Sequence, residues 1–537
     1  MPALILYNGP IYTLNPDQPQ VQAVAIRDGR VVAVGNEGKV RAAVSGPAEG
    51  INLRGRAVIP ALTDAHVHLV WHALGRRSLR LDDIESFDVI LTQIAEHAAK
   101  LPEGAWLQGG GWDHSRWGGR WPTAAELDAI VGNRPVLLSR KDGHTAWASS
   151  RALAIAGIDD TTPDPAGGSI RREKGKAIGI LHEHAIDLGR RHIPEATEEE
   201  RLDAIRDAFI EAHSYGMVGM HVPTGMRPGD GALSLTAVQK LRERGQLLQR
   251  CLMYIGIDGL DAALAMGVRS GLGDRWIRIG GLKLFADGTL GSETAEMLSH
   301  YEGRRHLGMP VTDVEEMNDM IERSIAGGLS VMVHAIGDAA NRKVLNAIEA
   351  ALGRLPDGTT AAPIPNRIEH CQILHPSDIP RFGQLGIVAS MQPIHCTQDH
   401  EVATLLWGDR CVGAYAFRSL LQQGAVLAFG SDAPVEPLTP WLSNQAAVTR
   451  QRTNGAPAGG WYPEQRLSVA EAIHGFTAGA AHAAGATHEQ GRIAPGYLAD
   501  LAVLSADPFK LDPSLLHTVG AEMTLLEGRV VWERTIS

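Results

Sequence analysis

The chain carries two different patterns of apolar and polar residues. Near its start, short strand-like runs flank the pair Asp28-Gly29, which is typical of a β-hairpin turn. The same texture returns in residues 498–508 and 522–534. The sequence therefore predicts that both chain ends pair in one small β domain, residues 1–59 and 485–537.

Between these ends, apolar runs alternate with amphipathic helices. A short apolar run bounded by polar residues or glycine is typical of a buried strand in a parallel sheet. Eight such runs occur, at residues 57–62, 217–222, 250–256, 277–285, 329–337, 366–374, 387–393 and 425–433. Eight strand–helix units predict an α/β fold with a closed parallel (β/α)8 barrel over residues 60–484.

One linking helix shows both of its ends in the sequence. Thr312 and Glu315 have the spacing of a capping box, and Gly327-Gly328 is a stop signal. The apolar residues between them fall on one face, namely Val314, Met317, Ile321 and Ile325. The pattern predicts a helix capped by Thr312 that packs this face inward.

Residues 85–200 interrupt the strand–helix rhythm after the first strand. They include a segment rich in glycine and tryptophan, residues 109–121. Because the other seven strand runs follow this stretch, we interpret it as an insertion above the mouth of the barrel.

Composition and charge exclude several classes of protein. The chain has 537 residues, of which 44% are apolar and 21% charged, so it can form a large core beside a smaller domain. The net charge is −11 and no block of lysine and arginine occurs, which argues against a nucleic-acid partner. There is neither a signal-peptide pattern nor an apolar run of about 18 residues, so we expect no membrane association.

The cysteines indicate a reducing compartment. The chain has four, without CxxC spacing: Cys251, Cys371, Cys396 and Cys411. We therefore expect reduced thiols and a cytoplasmic location. The expected partner is a small-molecule substrate, and a homodimer is an open alternative to a monomer.

Two histidines stand directly after the first apolar run. His66 and His68 lie in the stretch TDAHVHL, residues 63–69. Side chains two residues apart on a strand share a face, so both are expected to point into the upper end of the barrel, where active sites of such barrels lie. Taken alone, the pair is equally compatible with packed core histidines.

Polar residues close four further apolar runs. They are Lys283, His334, His370 and Asp432, at the ends of the fourth, fifth, sixth and eighth strands. Burying such groups is unfavourable unless a partner is present. Any one of them could have a purely structural role, and for His370 taken by itself that role is the more common one. Together with His66 and His68 at one rim, they predict a shared metal site, since imidazole and carboxylate suit zinc, iron or manganese.

Several longer motifs identify a family. The chain resembles the amidohydrolase superfamily, and within it the branch called amidohydrolase family 3, or YtcJ-like. The resemblance covers nearly the whole chain and rests on AVAIRDGRVVAVG, PALTDAHVHL, GWDHSRW, PVLLSRKDGHTAWASSRAL, GGLKLFADGTLGSETA, VMVHAIGDAANRKVL, NRIEHCQ, FGSDAPVEPLTPW and GRIAPGYLADLAVL. It implies a metal-bearing (β/α)8 barrel with a β-sandwich built from both chain ends.

The resemblance also implies a role for each strand-end residue. His66 and His68 would bind the more buried metal, and a carboxylated Lys283 would bridge two metals. The second metal would be bound by His334 and His370. Asp432 would be both a ligand and the proton carrier. The implied cofactor is one or two divalent metal ions, with zinc as the expected metal.

These roles lead to a predicted reaction. A bound divalent metal lowers the pKa of its water from about 15.7 toward about 7, which gives hydroxide at neutral pH. Asp432, with His370 as a second catalytic candidate, would accept the proton and return it to the leaving nitrogen. We therefore expect a metal-dependent hydrolase of a non-peptide C–N bond, most simply an amide such as an N-acyl, N-formyl or carbamate group.

Alternatives remain for both the site and the reaction. Lys283 could instead form a plain salt bridge with Asp287 or a glutamate. A single metal would then be bound by His66, His68, His334 and Asp432, with His370 as a proton relay. The same site could also support deamination or a non-hydrolytic lyase or isomerase step, because fold does not fix the substrate. A non-catalytic scaffold is disfavoured by the intact set of ligands.

A further group of residues is a candidate for substrate contacts. Five lie in the insertion, namely Trp112, His114, Trp117, His144 and Trp147, and His395 follows the seventh strand. Aromatic rings with a few polar groups are typical of the lining of a ligand pocket. Buried packing explains each of them equally well.

Overall fold

The structure is a computed structural model that describes residues 2–82, 84–141, 145–165, 168–225, 230–356, 358 and 362–535. The chain forms two compact units. The first comprises Met1–His72 and Ile205–Ser537, and the second comprises Ala73–Ala204. The second unit contains the predicted insertion, residues 85–200. The expected boundary between the β domain and the barrel stays a prediction.

Both ends of the chain contribute strands to one eight-stranded sheet of the first unit. Its strands are Ala3–Tyr12, Gln20–Arg27, Arg30–Gly35, Ala48–Asn52, Val58–Pro60, Leu501–Leu504, Ala521–Leu526 and Arg529–Glu533. The two ends meet where Val58–Pro60 pairs antiparallel with Leu501–Leu504. Apolar residues from both ends, such as Leu6 and Leu525, share one buried core. The arrangement of these strands as a two-layered sandwich stays a prediction.

The hairpin expected at Asp28-Gly29 is present. Arg27 pairs with Arg30 across the turn. Asp28 and Gly29 have φ angles of 51° and 77°, in the left-handed region. A two-residue turn of this type requires positive φ at both positions, which aspartate tolerates and glycine favours.

The first unit also contains eight parallel strands that follow one another in sequence order and form a nearly closed barrel. They are Leu62–Asp64, Met217–Val222, Arg250–Ile255, Ile277–Phe285, Ser330–Ala335, Arg367–His370, Val388–Met391 and Leu427–Phe429. We call them the first to the eighth barrel strand. Just past their ends, the first and eighth strands are bridged by a hydrogen bond from the Asp432 N–H to the His66 carbonyl, at 2.7 Å. The predicted barrel is confirmed, and each of the second to eighth predicted runs contains a barrel strand.

The first predicted strand is wrong in one respect. Residues 57–62 do not form one strand, because the chain changes sheets at Ala61. The Ala61 N–H donates to the Asp500 carbonyl in the terminal sheet, at 2.9 Å. The next N–H, of Leu62, donates to the Gly216 carbonyl at the base of the barrel, at 2.8 Å. The apolar run therefore serves two sheets in turn, and the barrel receives only Leu62–Asp64.

Most helices of the first unit lie in the connections between successive barrel strands. The α-helices are Glu37–Ala43, Leu69–Gly75, Glu198–Ser214, Asp230–Glu243, Leu260–Ala265, Val314–Ala326, Asp338–Gly353, Ile379–Leu385, Pro393–Gln398, His400–Trp407, Phe417–Gln422, Pro440–Thr449, Val469–His474 and Ala480–Ala483. Leu69–Gly75 and Glu198–Ser214 each extend across a boundary between the two units. Shorter 3₁₀ turns lie at Ile257–Gly259, Gly408–Gly413, Pro463–Gln465 and Pro513–Thr518, and Gly475–Gly479 is a π turn.

The predicted linking helix starts one residue later than expected. It spans Val314–Ala326, and its cap is Asp313, whose carboxylate accepts the N–H groups of Glu315 and Glu316. Thr312 instead donates its hydroxyl to the Phe285 carbonyl at the end of the fourth barrel strand, at 2.7 Å. The capping-box assignment is therefore wrong, because a carboxylate one residue further on competes for the same N–H groups.

The second unit is built on a six-stranded sheet. Its strands are Leu79–Arg80, Leu107–Trp112, Val136–Arg140, Thr145–Ala148, Gly168–Glu173 and Lys176–Glu183. Its helices are His114–Trp117, which is a single 3₁₀ turn, Phe87–Lys100, Ala124–Val131, Ser150–Ile155 and Ala185–Arg190. The rings of Trp112 and Trp147 lie in its main apolar core.

All four cysteines are buried and form no disulfide with one another. None of the helices in the described part of the chain combines the length and the apolar character that crossing a membrane requires. The cytoplasmic location stays a prediction.

Candidate metal centre

The two histidines of the first strand lie in a bend just past the strand's end. The bend is held by Asp64, whose carboxylate accepts the N–H of His66 at 2.9 Å. The same carboxylate accepts the N–H and the hydroxyl of Ser431, at 3.0 and 2.5 Å. Gly430 allows this approach, because a Cβ there would lie 2.4 Å from the His66 backbone nitrogen. Burial raises the pKa of Asp64 to about 6.

Asp432 faces both histidines from the end of the eighth strand. Its Oδ1 lies 3.5 Å from Nε2 of His66 and 3.3 Å from Nε2 of His68. Its backbone has a φ of 61°, a strained left-handed conformation for a residue other than glycine. The hydrogen bond from its N–H to the His66 carbonyl holds this conformation. Burial alone would raise the pKa of Asp432, but the nearby His68 and His66 hold it well below its usual range.

The potential ligand atoms form two overlapping groups. His66, His68 and Asp432 each offer one atom within 4.8 Å of the others, and so do His370, His395 and Asp432. Asp432 is therefore common to both groups. His370 ends the sixth strand with a φ of 72°, and its ring centroid lies 5.1 Å from that of His66. Its Nδ1 lies 2.8 Å from Oε1 of Gln392.

His334 lies beside these groups but belongs to neither. Its ring centroid is 4.4 Å from that of His370. However, its Nε2 lies 3.0 Å from the Gly288 carbonyl oxygen and 3.8 Å from Oδ1 of Asp287. Burial lowers the pKa of His334 to about 3, with a further contribution from Lys283. The structure thus places a predicted ligand next to the site with one ring nitrogen turned toward a backbone carbonyl.

Lys283 is a buried amine without a hydrogen bond. Its side chain is almost fully buried in the fourth strand, and Nζ has no hydrogen-bond partner among the residues the structure describes. Burial lowers the pKa of Lys283 to about 8, although Glu369 and Asp432 act in the opposite direction. The salt bridge with Asp287 is not formed. The Asp287 carboxylate accepts the N–H groups of Glu296, Ile336 and Gly337, at 2.8, 2.9 and 2.8 Å.

Two charged residues at the site went unnoticed in the sequence. Glu369 contacts Nδ1 of His66 through Oε2. Arg367 lies two residues earlier and binds the same carboxylate, with 2.5 Å between its Nε and Oε1 of Glu369. The signal was available, because a strand expected to be buried should not carry two charges in NRIEHC unless they have partners.

Most of the predicted substrate contacts lie in the second unit. Trp112 and Trp147 are fully buried, and their indole N–H groups donate to the Leu138 and Thr123 carbonyls, each at 2.8 Å. His114 stacks on Trp121 with 3.8 Å between ring centroids.

The remaining candidates vary in their surroundings. The indole of Trp117 donates to the Arg120 carbonyl at 2.9 Å. His144 lies outside the described residues. In the first unit, Nε2 of His395 is 3.9 Å from Oδ2 of Asp432, so its role can be ligation as well as substrate contact. A substrate-binding role for the whole group stays a prediction.

The donor set fits a divalent transition metal. Imidazole nitrogens and a carboxylate oxygen converge, and they are the ligands that zinc and its neighbours prefer. Oδ1 of Asp432 and Nε2 of His395 are both buried and make no well-formed hydrogen bond among the described residues. Buried polar atoms without a partner are costly unless a ligand satisfies them.

Comparison with known proteins agrees with this geometry. The chain is 32% identical over 536 residues to "Putative amidohydrolase YtcJ" of Bacillus subtilis (strain 168), covering 99% of both chains. It is 29% identical over 554 residues to the N-substituted formamide deformylase of Arthrobacter pascens, covering 99% of this chain and 98% of that one.

A solved structure matches over a similar extent. It is the crystal structure of an uncharacterized metal-dependent hydrolase from Pyrococcus horikoshii OT3, with a TM-score of 0.78 and 28% identity, covering 95% of this chain and 99% of that one. The model of the amidohydrolase family matches residues 49–532, a range that contains every strand-end residue described above. Fold, site and sequence therefore agree, and the chain belongs to the amidohydrolase family.

Proposed function

We propose that the protein is a metal-dependent hydrolase that cleaves the C–N bond of an amide bearing an N-acyl, N-formyl or carbamate group. The observation that carries this proposal is the position of Asp432. Its buried carboxylate lies near four imidazole rings that end or follow the barrel strands, and its Oδ1 makes no well-formed hydrogen bond among the described residues. Family membership supports the same conclusion.

The proposed metal ligands are the six residues predicted from the sequence. One ion would be held by His66, His68 and Asp432, and a second by His334 and His370, with Lys283 between the two. His395 is a further candidate for the second ion, because it lies in a group with His370 and Asp432. Zinc is the proposed metal, given the dominance of imidazole nitrogen among these donors.

Asp432 is the proposed proton carrier. A bound divalent metal ion supplies a water of lowered pKa and polarises the substrate carbonyl. The low pKa of Asp432 keeps its carboxylate ionised at neutral pH, so it can accept the proton of the attacking water. It then delivers that proton to the leaving nitrogen. His370 is the second catalytic candidate, since its ring centroid lies 5.1 Å from that of His66 and 4.4 Å from that of His334.

The neutral amine of Lys283 is proposed to add to carbon dioxide and to release one proton, which gives an anionic carbamate. Two properties of the side chain support this. Its amine has no hydrogen-bond partner in the described part of the chain, and burial lowers its pKa to about 8, so roughly a tenth of the amine is uncharged and nucleophilic at pH 7. A protonated lysine would repel a metal ion, whereas a carbamate would attract one.

The substrate class follows from the relatives. One of them is a deformylase of N-substituted formamides, and we propose formamides and other N-acyl amines as the first substrates to test. The insertion residues Trp112, His114, Trp117, His144 and Trp147 are proposed to contribute to specificity. We further propose a β-sandwich from both chain ends and a cytoplasmic enzyme, with dimerisation to be measured.

The decisive experiment measures products as well as rates. Purified protein is stripped with a chelator, reloaded with zinc, manganese or iron(II), and assayed with N-substituted formamides, N-acyl amino acids, carbamates and primary amines. Release of an amine together with formate or another carboxylate supports the proposal. Ammonia released from an amine substrate would instead show a deaminase, and turnover without any metal would refute the metal-dependent reaction.

A control variant separates the site from general folding. His68→Asn removes one proposed ligand and should lower both metal content and rate. His213→Asn removes another buried histidine, whose Nε2 faces the Leu248 carbonyl at 2.8 Å, and should change neither. Equal losses in the two variants would mean that the first effect is structural.

A further inference from the structure

A row of buried charged groups runs through the barrel below His66. Arg367 and Glu369 lie two residues apart on the sixth strand, so both side chains point into the barrel. Both are fully buried. The guanidinium binds the carboxylate through two contacts, Nε to Oε1 at 2.5 Å and Nη2 to Oε2 at 3.1 Å. Arg367 also donates from Nη1 to Nδ1 of His221, at 2.9 Å.

The carboxylate of this row sets the state of the His66 ring. Oε2 of Glu369 contacts Nδ1 of His66. An ionised carboxylate only accepts hydrogen bonds, so Nδ1 must carry the hydrogen. In a neutral imidazole, Nε2 then keeps its lone pair. This nitrogen is the one that faces Oδ1 of Asp432.

Arg367 also holds the main chain next to His66. Its Nη2 donates to the carbonyl of Ala65, at 2.6 Å, and contacts the hydroxyl of Ser390 on the seventh strand. One guanidinium therefore binds both the carboxylate that contacts the ring and the peptide that precedes it. A rotation of the ring or a shift of the backbone would each break a buried charged contact, which is unfavourable in a low-dielectric interior.

We propose that Arg367 and Glu369 are positioning residues that hold His66 in its Nδ1–H tautomer and direct Nε2 to the metal. This inference rests on the proposed function, because it takes His66 as a metal ligand. Carboxylates that accept the second N–H of a ligand histidine fix its tautomer and raise its basicity, and their loss typically lowers metal affinity or activity by about 10–100-fold.

The neighbouring histidines have weaker partners. Nδ1 of His370 faces the neutral amide of Gln392, and Nε2 of His334 faces a backbone carbonyl. Charge-assisted hydrogen bonds are roughly twice as strong as neutral ones. We therefore expect metal binding at His66 to depend more strongly on Glu369 than metal binding at His370 depends on Gln392.

The first test needs no substitution in the row of charges. Metal-free wild-type protein is labelled with [15N]histidine, and its ring nitrogens are observed by NMR. His66→Gln identifies the His66 signals as those that disappear. The proposal requires the Nδ1–H tautomer, and a hydrogen on Nε2 overturns it.

The second test measures zinc affinity by competition with a chromophoric chelator. Glu369→Gln keeps the shape and removes the charge, and its zinc affinity should fall about 10–100-fold. The matched control is Asp500→Asn, which alters another buried arginine–carboxylate pair, with 2.7 Å between Nε of Arg250 and Oδ2 of Asp500. Its zinc affinity should stay within about twofold of wild type.

The outcomes separate this proposal from the proposed function. If wild-type protein binds no zinc, the metal site itself is wrong and the positioning role falls with it. If wild type binds zinc but Glu369→Gln binds it as tightly as the control, only the positioning role is wrong. Should Glu369→Gln fail to fold, the tautomer of His66 in wild type still decides.

Discussion

Two groups of charged residues lie in the first unit, and they differ in how well their polar atoms are satisfied. The first, which we call the base ion-pair group, comprises Arg250, Arg275, Asp500 and Glu527. Arg250 begins the third barrel strand and binds Asp500 through two contacts, at 2.7 and 3.0 Å. Its Nη2 is also 3.3 Å from Glu527, which in turn binds Arg275 at 2.8 Å. Each of these charges has a partner of opposite sign.

The second group, which we call the rim cluster, lies at the other ends of the strands. It comprises His66, His68, Lys283, His334, His370, His395 and Asp432. Three of its polar atoms are buried without a well-formed hydrogen bond among the described residues, namely Nζ of Lys283, Oδ1 of Asp432 and Nε2 of His395. The charges of the base ion-pair group are paired with one another, whereas these three rim atoms are buried without a well-formed hydrogen bond, so the first group is suited to stabilise the fold and the second to bind a ligand.

Asp432→Asn should have the largest effect. The substitution keeps the shape of the side chain but removes the proton acceptor, and general-base steps are worth about 10²–10⁴-fold. We expect kcat to fall at least about a hundredfold, with one metal ion retained because His66 and His68 are unchanged. Rate and metal content are measured on the same sample.

The control for this variant is another buried aspartate. Asp378 binds Arg342 at 2.8 Å and lies outside the rim cluster, so Asp378→Asn should leave kcat unchanged. A rate for Asp432→Asn within a few-fold of wild type would exclude Asp432 as the proton carrier. If all metal is lost with the rate, its role is ligation, and His370 becomes the next candidate.

Arg250→Met should lower stability and leave kcat unchanged, which is the reverse of the result expected for Asp432→Asn. Removing the cation leaves the largely buried Asp500 without its main partner, and breaking a buried pair in this way lowers the free energy of unfolding by about 3–5 kcal/mol. Metal content and kcat of the folded protein should be unchanged at low temperature. Urea unfolding measures the free energy of unfolding, elemental analysis measures the metal content, and a rate assay measures kcat. A loss of metal without a loss of stability would remove the distinction between the two groups.

Acid should destabilise the metal-free protein through the rim cluster. Burial lowers the pKa of His66 to about 4, whereas an unfolded histidine titrates near about 6.5. As the pH falls below 6.5, the unfolded chain binds protons that the folded chain does not, so stability present at neutral pH is lost. The contribution of His66 between about pH 7 and pH 5 is roughly 2 kcal/mol.

His66→Asn tests this assignment. Without the histidine, the free energy of unfolding should decrease less steeply between the same two pH values in urea titrations. An unchanged slope would show that other groups control the acid sensitivity.

Cys371→Ala should have the smallest effect. The thiol follows His370 directly, but its Sγ contacts the Ile368 carbonyl at 3.3 Å, and burial raises its pKa well above the usual range. A protonated thiol is neither a nucleophile nor a metal ligand. We expect kcat within about twofold of wild type and a loss of about 1 kcal/mol in stability. A large drop in metal content would place Cys371 in the rim cluster.

The sequence predicted the barrel well because its strands are continuous apolar runs. It did not predict that residues 57–62 serve two sheets, because an apolar run looks the same whichever sheet accepts its hydrogen bonds. The exchange at Ala61 depends on carbonyls of Asp500 and Gly216, which lie far away in the sequence. Similarly, the competition between Thr312 and Asp313 for one helix cap depends on where the preceding strand ends.

The site could be predicted in its parts but not in its pairings. The position of each strand-end residue followed from the pattern, and Asp432 does lie beside His66 and His68. The grouping of His395 with His370 and the contact between Glu369 and His66 were missed. Both join residues from different strand–loop units of the barrel, so their geometry depends on how the barrel closes and not on any local spacing.

The most direct test of this account is the metal content of the purified protein, measured with its activity on an N-substituted formamide. We predict between about one and two equivalents of a divalent transition metal per chain, loss of activity after chelation with the fold retained, and recovery when metal is returned. Full activity of metal-free protein would contradict the account, because the converging donors of the rim cluster would then serve no ion.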